Sequence, residues 1–256
     1  MNMFDLGGHV AVITGGNGGI GLSMARGLVK AGASVAIWAR DEAKNADAVV
    51  ELGSLRSDSA ASFLCDVTNE ASIAAAMTAT LEHFGRVDSC FANAGIGGGS
   101  ALPELDAAVW DRTMAVNARG PALTYKYVTA HMVERAKAGD PGGKLIATSS
   151  GQSIMGVNRS SAYAASKAAV NGLTRGAAFE LARYNITANA LLFGFYETEL
   201  TAQADPRFAE WMTKRIPLRR FGDHEGLEGL AVFLASSHSD YITGQCLPVD
   251  GGLSIS

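Results

Sequence analysis

The stretch Thr14-Gly-Gly-Asn-Gly-Gly-Ile-Gly21 decides the fold of this chain, and it directly follows an apolar, β-branched run that begins at residue 9. Five of the seven residues from Gly15 to Gly21 are glycine, more than a tight turn between a strand and a helix needs. Glycines let a backbone turn sharply and approach a pyrophosphate group, which the amides at the start of the following helix then bind. The stretch therefore predicts a first strand, a dinucleotide-binding loop and a first helix.

Short β-branched runs alternate with longer amphipathic or alanine-rich runs along the rest of the chain. Strands are predicted at residues 9–14, 34–39, 62–65, 87–92, 144–149, 186–192 and 245–249. Helices are predicted at residues 19–30, 41–52, 70–84, 106–137, 162–184 and 223–235. This alternation indicates parallel strands joined by right-handed crossovers, with helices on both faces of the sheet. We predict an α/β fold of three layers, a doubly wound Rossmann fold whose seven-stranded, mainly parallel sheet is flanked by helices.

Length and composition exclude several classes of protein. The chain has 256 residues, 48% of them hydrophobic, which suits one domain over residues 1–256 with an ample core. The net charge is −4 with no block of basic residues, so neither a nucleic acid nor an anionic membrane surface is an expected partner. No apolar run reaches the ~18 residues of a membrane span, and the first residues lack a basic signal segment, so we expect a cytoplasmic protein. Cys65, Cys90 and Cys246 are widely spaced, which predicts buried thiols and no metal site.

Tyr163 and Lys167 stand four residues apart in a predicted helix, so their side chains share one face. An ammonium group held near a phenol favours the phenolate and lowers its pKa from the usual ~10. At a separation of ~4 Å and an effective dielectric of ~20 the interaction is about 4 kcal/mol, or roughly 3 pKa units before desolvation is subtracted. The pair is thus a candidate proton donor and acceptor near neutral pH. By itself, such spacing equally suits a ring packed against a lysine stem.

Taken together, the motifs resemble those of the short-chain dehydrogenase/reductase family, and the resemblance covers essentially the whole chain. The loop from Thr14 to Gly21 resembles its cofactor loop, and Tyr163-Ala-Ala-Ser-Lys167 resembles its catalytic signature. Asn93-Ala-Gly95 resembles its motif after the fourth strand, although Ala92 replaces the usual asparagine. The tail from Tyr241-Ile-Thr-Gly244 to Val249-Asp-Gly-Gly252 resembles its C-terminal end.

The resemblance implies hydride transfer between a nicotinamide cofactor and a small carbonyl or alcohol substrate. Tyr163 would move the proton, and Lys167 would lower the tyrosine pKa and bind the nicotinamide ribose. Ser150, thirteen residues before Tyr163, would donate a hydrogen bond to the substrate oxygen, and Asn117 would hold a water that relays the proton. The implied cofactor-binding set is Gly15, Asn17, Gly19, Ile20, Gly21, Arg40, Asp66, Val67, Asn93, Ala94, Gly95, Tyr163, Lys167, Tyr196 and Thr198.

The end of the second predicted strand favours NADP(H) over NAD(H). The position of the ribose-binding acid in NAD-dependent members of the family holds Ala39, and the next residue, Arg40, suits a 2′-phosphate. Asp41 has the generic spacing of a ribose acid, but we expect it to be the N-cap of the next helix. Against NADP(H), Gly18 occupies a position that is often basic in NADP-dependent members.

Loops are predicted at residues 95–105, 151–161 and 193–217, and the last of them is a candidate substrate lid. The walls of the substrate pocket are expected from residues 95–105, 151–158 and 193–211. Within the last loop, Phe193-Gly194 replaces the Pro-Gly usual in the family and adds an aromatic ring near the nicotinamide. The pair Lys214-Arg215, with Arg219 and Arg220, is expected to form a solvated face. A mostly apolar pocket, poorly suited to highly charged substrates, is predicted from Gln152, Ile154, Met155, Val157, Phe193, Phe195 and Trp211.

Other functions remain open at this point. The chain suits an NAD-dependent dehydrogenase of sugars, polyols or alcohols, or a 3-oxoacyl-carrier-protein reductase that docks through Arg135 and Lys137. A dinucleotide-binding regulator without turnover is disfavoured, because all four catalytic positions are retained. The resemblance also implies a homotetramer, built on the helices of residues 106–137 and 162–184 and on the final strand.

Overall fold

The computed structural model describes residues 4–196 and 206–256, and a single sheet runs through them. Its seven strands are β1 (Val10–Thr14), β2 (Ser34–Ala39), β3 (Ala60–Leu64), β4 (Ser89–Ala92), β5 (Gly143–Ser150), β6 (Ile186–Phe193) and β7 (Cys246–Val249). The helices described are α1 (Gly19–Lys30), α2 (Glu42–Leu55), α3 (Glu70–Phe84), α4 (Ala107–Met114), α5 (Gly120–Lys137), α6 (Ser161–Leu181), α7 (Pro206–Arg215) and α8 (His224–Ala235).

The strands are all parallel and lie in the order β3-β2-β1-β4-β5-β6-β7, which confirms the predicted fold class. The chain moves outward from β1 to β3 and then returns to the other side of β1 with β4. At such a reversal two neighbouring loops leave the sheet in opposite directions, and the crevice between them is where doubly wound sheets bind ligands. The end of β1 and the end of β4 therefore locate the candidate site.

The core forms two layers, because successive side chains on each strand point to opposite faces. Val12, Cys90 and Leu145 are buried on the face covered by α3, α5 and α6. Their strand neighbours, such as Ile13 and Phe91, are buried on the face covered by α1, α2 and α8. Burial on both faces explains the nearly continuous apolar strands of the sequence.

Two predicted elements are wrong in detail. The helix expected at residues 106–137 is divided into α4 and α5 by a π-helical turn, Ala115–Arg119. The loop expected at residues 193–217 contains α7, an amphipathic helix whose Met212, together with Ile216 directly after the helix, packs against Leu253 near the C-terminus. Since that contact joins distant parts of the chain, local sequence did not reveal it.

Three further points concern surface and thiols. Cys65 and Cys90 are buried free thiols as predicted, whereas Cys246 is only partly buried. Across residues 4–196 and 206–256, no helix combines the length and apolar character needed to cross a membrane. The same residues contain no group of three or more acidic, histidine or cysteine side chains arranged to hold a metal ion.

Candidate active site

The glycine loop at the end of β1 has the shape expected of a phosphate cradle. Gly15 and Gly19 have φ values of 63° and 50°, a region that favours glycine. A Cβ on Gly21 would overlap the carbonyl oxygen of Gly15 and lie 2.6 Å from Nδ2 of Asn93. The backbone is therefore closely packed where it turns into α1, and the N-cap of that helix is Gly18, which has no side chain to cap the first amides. This arrangement fits the pyrophosphate of a dinucleotide.

Thr14 and Asn93 fix the loop to the sheet. Oγ1 of Thr14 accepts hydrogen bonds from the backbone amides of Asn93, at 2.9 Å, and Ala94, at 3.0 Å. The side-chain amide of Asn93 donates to the carbonyl oxygens of Thr14 and Gly15, while Thr148 donates to its Oδ1. Asn93 thus positions the loop through its side chain, instead of turning that side chain towards a cofactor. The contribution of Thr14 was not predicted, because its partners lie directly after another strand, β4.

A cavity of about 270 Å³ beside the loop collects much of the predicted cofactor set. Asn17, at its wall, donates from Nδ2 to Oδ1 of Asn45 on α2, at 2.8 Å. Lys44 lines the same cavity as Arg40 and adds a second cation that was not among the predicted cofactor-binding residues. The described residues lining the cavity are Gly15, Asn17, Trp38, Ala39, Arg40, Asp41, Lys44, Cys65, Asp66, Val67, Ala94, Gly95, Ile96 and Val116.

Two carboxylates at this cavity have defined local partners. Asp41 is the N-cap of α2 and accepts from the backbone amide of Lys44 at 3.1 Å, which confirms the predicted cap. Asp66 accepts hydrogen bonds from both the backbone amide and the hydroxyl of Thr68. The hydrogen bond from the amide is the main reason why the pKa of Asp66 lies below its ordinary value. Asp66 is therefore an anionic acceptor at neutral pH.

Tyr163 and Ser150 meet at the end of β5, in a second cavity of about 560 Å³. Lys167 lies behind them: its Nζ donates to the carbonyl oxygen of Thr148 at 2.8 Å and stands 5.7 Å from the centre of the Tyr163 ring. The lysine is almost fully buried, and the hydroxyl of Ser149 donates to its backbone carbonyl. The predicted tyrosine, serine and lysine are thus brought together, although Ser150 lies on β5 and Tyr163 on α6.

Burial changes the expected titration of this pair. Desolvation raises the pKa of Tyr163 above its ordinary value, and a hydrogen bond with Ser150 opposes the rise only in part. Desolvation also lowers the pKa of Lys167 to about 8. The pKa of Tyr163 therefore lies above its ordinary value and not below it as the sequence predicted, because desolvation is the largest influence on it. Tyr163 is held as a neutral phenol, a state suited to donating a proton.

Asn117 occupies the π-helical turn between α4 and α5, where it is fully buried. Its Oδ1 accepts from the amide of Ile96 and its Nδ2 donates to the carbonyl of Ile96, both at 2.9 Å. Nδ2 also donates to Oγ of Ser166 at 3.1 Å. A Cβ on Gly95 would lie 3.4 Å from both Asn117 Oδ1 and Lys167 Nζ, so the asparagine and the lysine lie close to the same glycine. The side chain of Asn117 fixes the segment after β4 against α6.

The 560 Å³ cavity differs from the predicted pocket at four residues. Ile154 is 55% exposed and does not line it, whereas Ile20, expected at the cofactor, does. Phe193 contributes to the wall, but it is buried and packs edge-on against Tyr196, so it belongs largely to the core. Arg215, expected on a solvated face, also lines the cavity.

Two residues expected near the nicotinamide have different outcomes. Tyr196 is buried at the wall of the same cavity and donates from its hydroxyl to the carbonyl of Val249 at 3.1 Å. Thr198 lies outside the described residues.

Comparison with known proteins agrees with this geometry. A family model described as enoyl-(acyl carrier protein) reductase matches residues 15–254, from the glycine loop to the C-terminal tail. The chain belongs to the short-chain dehydrogenase/reductase family. It is therefore an oxidoreductase that acts on CH–OH and C=O groups with a nicotinamide dinucleotide.

Several members of the short-chain dehydrogenase/reductase family are similar over their full length. The 5-keto-D-gluconate 5-reductase of Escherichia coli is 39% identical, with 99% of this chain and 98% of that protein covered. The gluconate 5-dehydrogenase of Gluconobacter oxydans is 34% identical, with 100% of this chain and 98% of that protein covered. The crystal structure of a gluconate 5-dehydrogenase from Burkholderia cenocepacia, in complex with NADP and tartrate, superimposes with a TM-score of 0.92 at 38% identity, covering 99% and 98%.

Proposed function

We propose that the chain is an NADP(H)-dependent oxidoreductase that interconverts a small secondary alcohol and its ketone, with Tyr163 as the general acid and base. The observation that carries this proposal is the meeting of Tyr163 and Ser150 on one cavity, with the buried Lys167 directly behind them. When bound, the nicotinamide ring donates or accepts the hydride.

The residues of the chain hold and move the proton. In the direction of ketone reduction, the neutral phenol of Tyr163 donates its proton to the developing alkoxide, and the Ser150 hydroxyl donates a hydrogen bond to the same oxygen. Lys167, with its pKa near 8, carries its positive charge at neutral pH and stabilises the phenolate that this transfer leaves. We further propose that Asn117 positions this group through the segment at Ile96. The relay water at Asn117 stays a prediction.

The cofactor preference rests on the cations at the smaller cavity. Arg40 and Lys44 both line it, and a guanidinium and an ammonium together suit the doubly charged 2′-phosphate of NADP. The acid that would select the NAD ribose is lacking at Ala39, and Asp41 is engaged as the helix cap. The NADP bound to the similar gluconate 5-dehydrogenase of Burkholderia cenocepacia supports the same preference. Replacing Arg40 by alanine should raise the KM for NADP at least ~10-fold, the effect of one charge-assisted contact, and leave that for NAD almost unchanged.

Small substrates are favoured over those carried on an acyl carrier protein. A docking patch at Arg135 and Lys137 would have to offer free positive charge. Arg135 instead pairs with the buried Asp88 at 2.8 Å and with Asp140 at 3.0 Å, while Lys137 pairs with Glu134 at 2.7 Å. Asp88 immediately precedes β4, so this network lies at the N-terminal ends of the strands, whereas the candidate active site lies at their C-terminal ends.

We also propose that the protein is a homotetramer. Phe179 is 91% exposed on α6, and a Cβ on Gly172 or Gly176 of the same helix would meet no other atom within 4 Å. Such a large apolar side chain beside small residues suits close packing against a second copy of the helix. Light scattering at micromolar concentration tests this, and a monomer would contradict it.

The proposed chemistry is tested with Tyr163→Phe, which removes the hydroxyl and retains the ring. We expect the variant to lose nearly all turnover on a panel of alcohols and ketones, run in both directions with NADP and with NAD. It should still bind NADP(H) with wild-type affinity, as measured by fluorescence of the reduced cofactor. A variant that keeps a rate close to that of the wild type would contradict the role of Tyr163.

A further inference from the structure

Arg215 lies in the last turn of α7 and lines the cavity that contains Ser150 and Tyr163. Among the described lining residues it is the cation, and none of them is an aspartate or a glutamate. Asp250 lies behind the wall at Gly151, where its carboxylate accepts hydrogen bonds from the amides of Gly252 and Ser254. A positive charge that lines a concave site attracts anions. The cavity is therefore charged in a way that the apolar residues of the sequence did not indicate.

The basic residues near Arg215 interact with oxygen atoms of the chain, whereas Arg215 stacks on an aromatic ring. Lys214 pairs with Glu210 at 2.7 Å, Arg220 pairs with Asp223 at 3.0 Å, and Arg219 donates to the carbonyl of Lys214. In the described part of the chain, Arg215 forms no ion pair, and its guanidinium lies 4.9 Å from the centre of the Trp211 ring. Stacking of this kind uses the face of the guanidinium and leaves its edge N–H groups for a planar anion.

The rest of the cavity supplies neutral polar groups. The hydroxyl of Ser160 donates to Oε1 of Gln152, so the Nε2 donor of that amide remains for another acceptor. Asn158 adds a second side-chain amide to the wall. A ligand that satisfies all these groups carries one carboxylate for the guanidinium fork and several hydroxyls for the amides.

We propose that Arg215 binds the carboxylate of a polyhydroxy acid and so makes the enzyme select sugar acids over neutral sugars and polyols. This inference rests on the proposed dehydrogenase function and adds its substrate class. The names of the similar gluconate 5-dehydrogenases, and the tartrate bound in one of them, agree with this class.

The test compares gluconate with glucitol, in which a CH₂OH group replaces the carboxylate, using the full chain with saturating NADP⁺. For Arg215→Met, we expect kcat/KM on gluconate to fall about 10- to 100-fold more than on glucitol, the range for one charge-assisted contact. The loss should appear mainly in KM, because the carboxylate is bound equally before and during hydride transfer. Arg215→Lys should recover part of it. Lys214→Met is the matched control on the same turn of α7 and should behave as the wild type on both compounds.

A binding measurement without turnover separates this inference from the proposed function. Because Trp211 stacks on Arg215, tartrate added to the NADP⁺-loaded protein should change tryptophan fluorescence, and Arg215→Met should weaken its binding about 10- to 100-fold. If the wild type turns over no alcohol or ketone of the panel but binds tartrate through Arg215, the proposed function fails and the carboxylate site stands. If it turns over alcohols while Arg215→Met loses equally on gluconate and glucitol, or binds tartrate normally, the Arg215 inference is overturned alone.

Discussion

A methyl group added at Gly21 tests how closely the glycine loop must be packed. In Gly21→Ala the new Cβ would stand 2.6 Å from Nδ2 of Asn93 and would also overlap the carbonyl oxygen of Gly15. Since carbon contacts are favourable only from ~3.5 Å, these groups must move by about 1 Å. Gly18→Ala is the matched control in the same loop, because its Cβ would meet nothing within 4 Å and its φ of −176° is extended backbone.

The magnitude follows from the contacts that must move. Overpacking of this kind costs about 1–3 kcal/mol. The shift also weakens the bonds from Asn93 to the carbonyls of Thr14 and Gly15, at 3.1 and 3.2 Å, each worth about 1 kcal/mol. A total near 3 kcal/mol lowers the Tm of a domain of this size by about 6–12 °C. Displaced loop amides should weaken NADP binding about 10- to 100-fold, since each ~1.4 kcal/mol is a factor of ten.

The assay is thermal unfolding with and without NADP, combined with titration of the reduced cofactor by fluorescence. For Gly18→Ala we expect a Tm within a few degrees of the wild type and nearly unchanged binding, because surface substitutions stay within about 0.5 kcal/mol. Equal losses in Gly18→Ala and Gly21→Ala, or wild-type binding by Gly21→Ala, would refute the reasoning that this close approach shapes the cradle.

Three further predictions concern buried polar groups. Lys167→Met should raise the free energy of unfolding at pH 7 by up to ~3 kcal/mol, since a buried lysine with a pKa of about 8 costs stability below pH 8. This gain in stability should disappear towards pH ~10.5, the pKa of a lysine in the unfolded chain, and chemical denaturation at several pH values measures it. Asp88→Asn should cost about 3 kcal/mol near neutral pH and much less in acid. Burial raises the pKa of Asp88, but its bonds to an arginine and a backbone amide outweigh this and leave the pKa low, so its stabilisation is lost as pH falls through that value; urea unfolding against pH measures it. Thr14→Val should cost about 1–3 kcal/mol and weaken NADP binding, because two backbone amides lose their acceptor; denaturation and cofactor titration check both.

The sequence by itself determined the features that depend on neighbouring residues. Strand and helix alternation predicted the parallel sheet, and the glycine run predicted the cradle, because hydrophobic period and φ preferences are local properties. The spacing of Tyr163 and Lys167 predicted their shared face, since one helix carries both. The cap at Asp41 was predicted for the same reason: its acceptor and the amide it binds are separated by less than one turn.

Only the tertiary structure decided what depends on burial and on distant segments. The pKa of Tyr163 is set by desolvation, which no spacing of residues reveals. Asn117 fixes Ile96, and Thr14 fixes Asn93, through hydrogen bonds between separate elements. Lys214 and Arg215 are adjacent cations, yet one pairs with Glu210 on the helix surface and the other lines the cavity at Ser150 and Tyr163. The packing of Met212 in α7 against Leu253 fixes which face of that helix meets the cavity, and with it the charge at the site that we propose for the substrate.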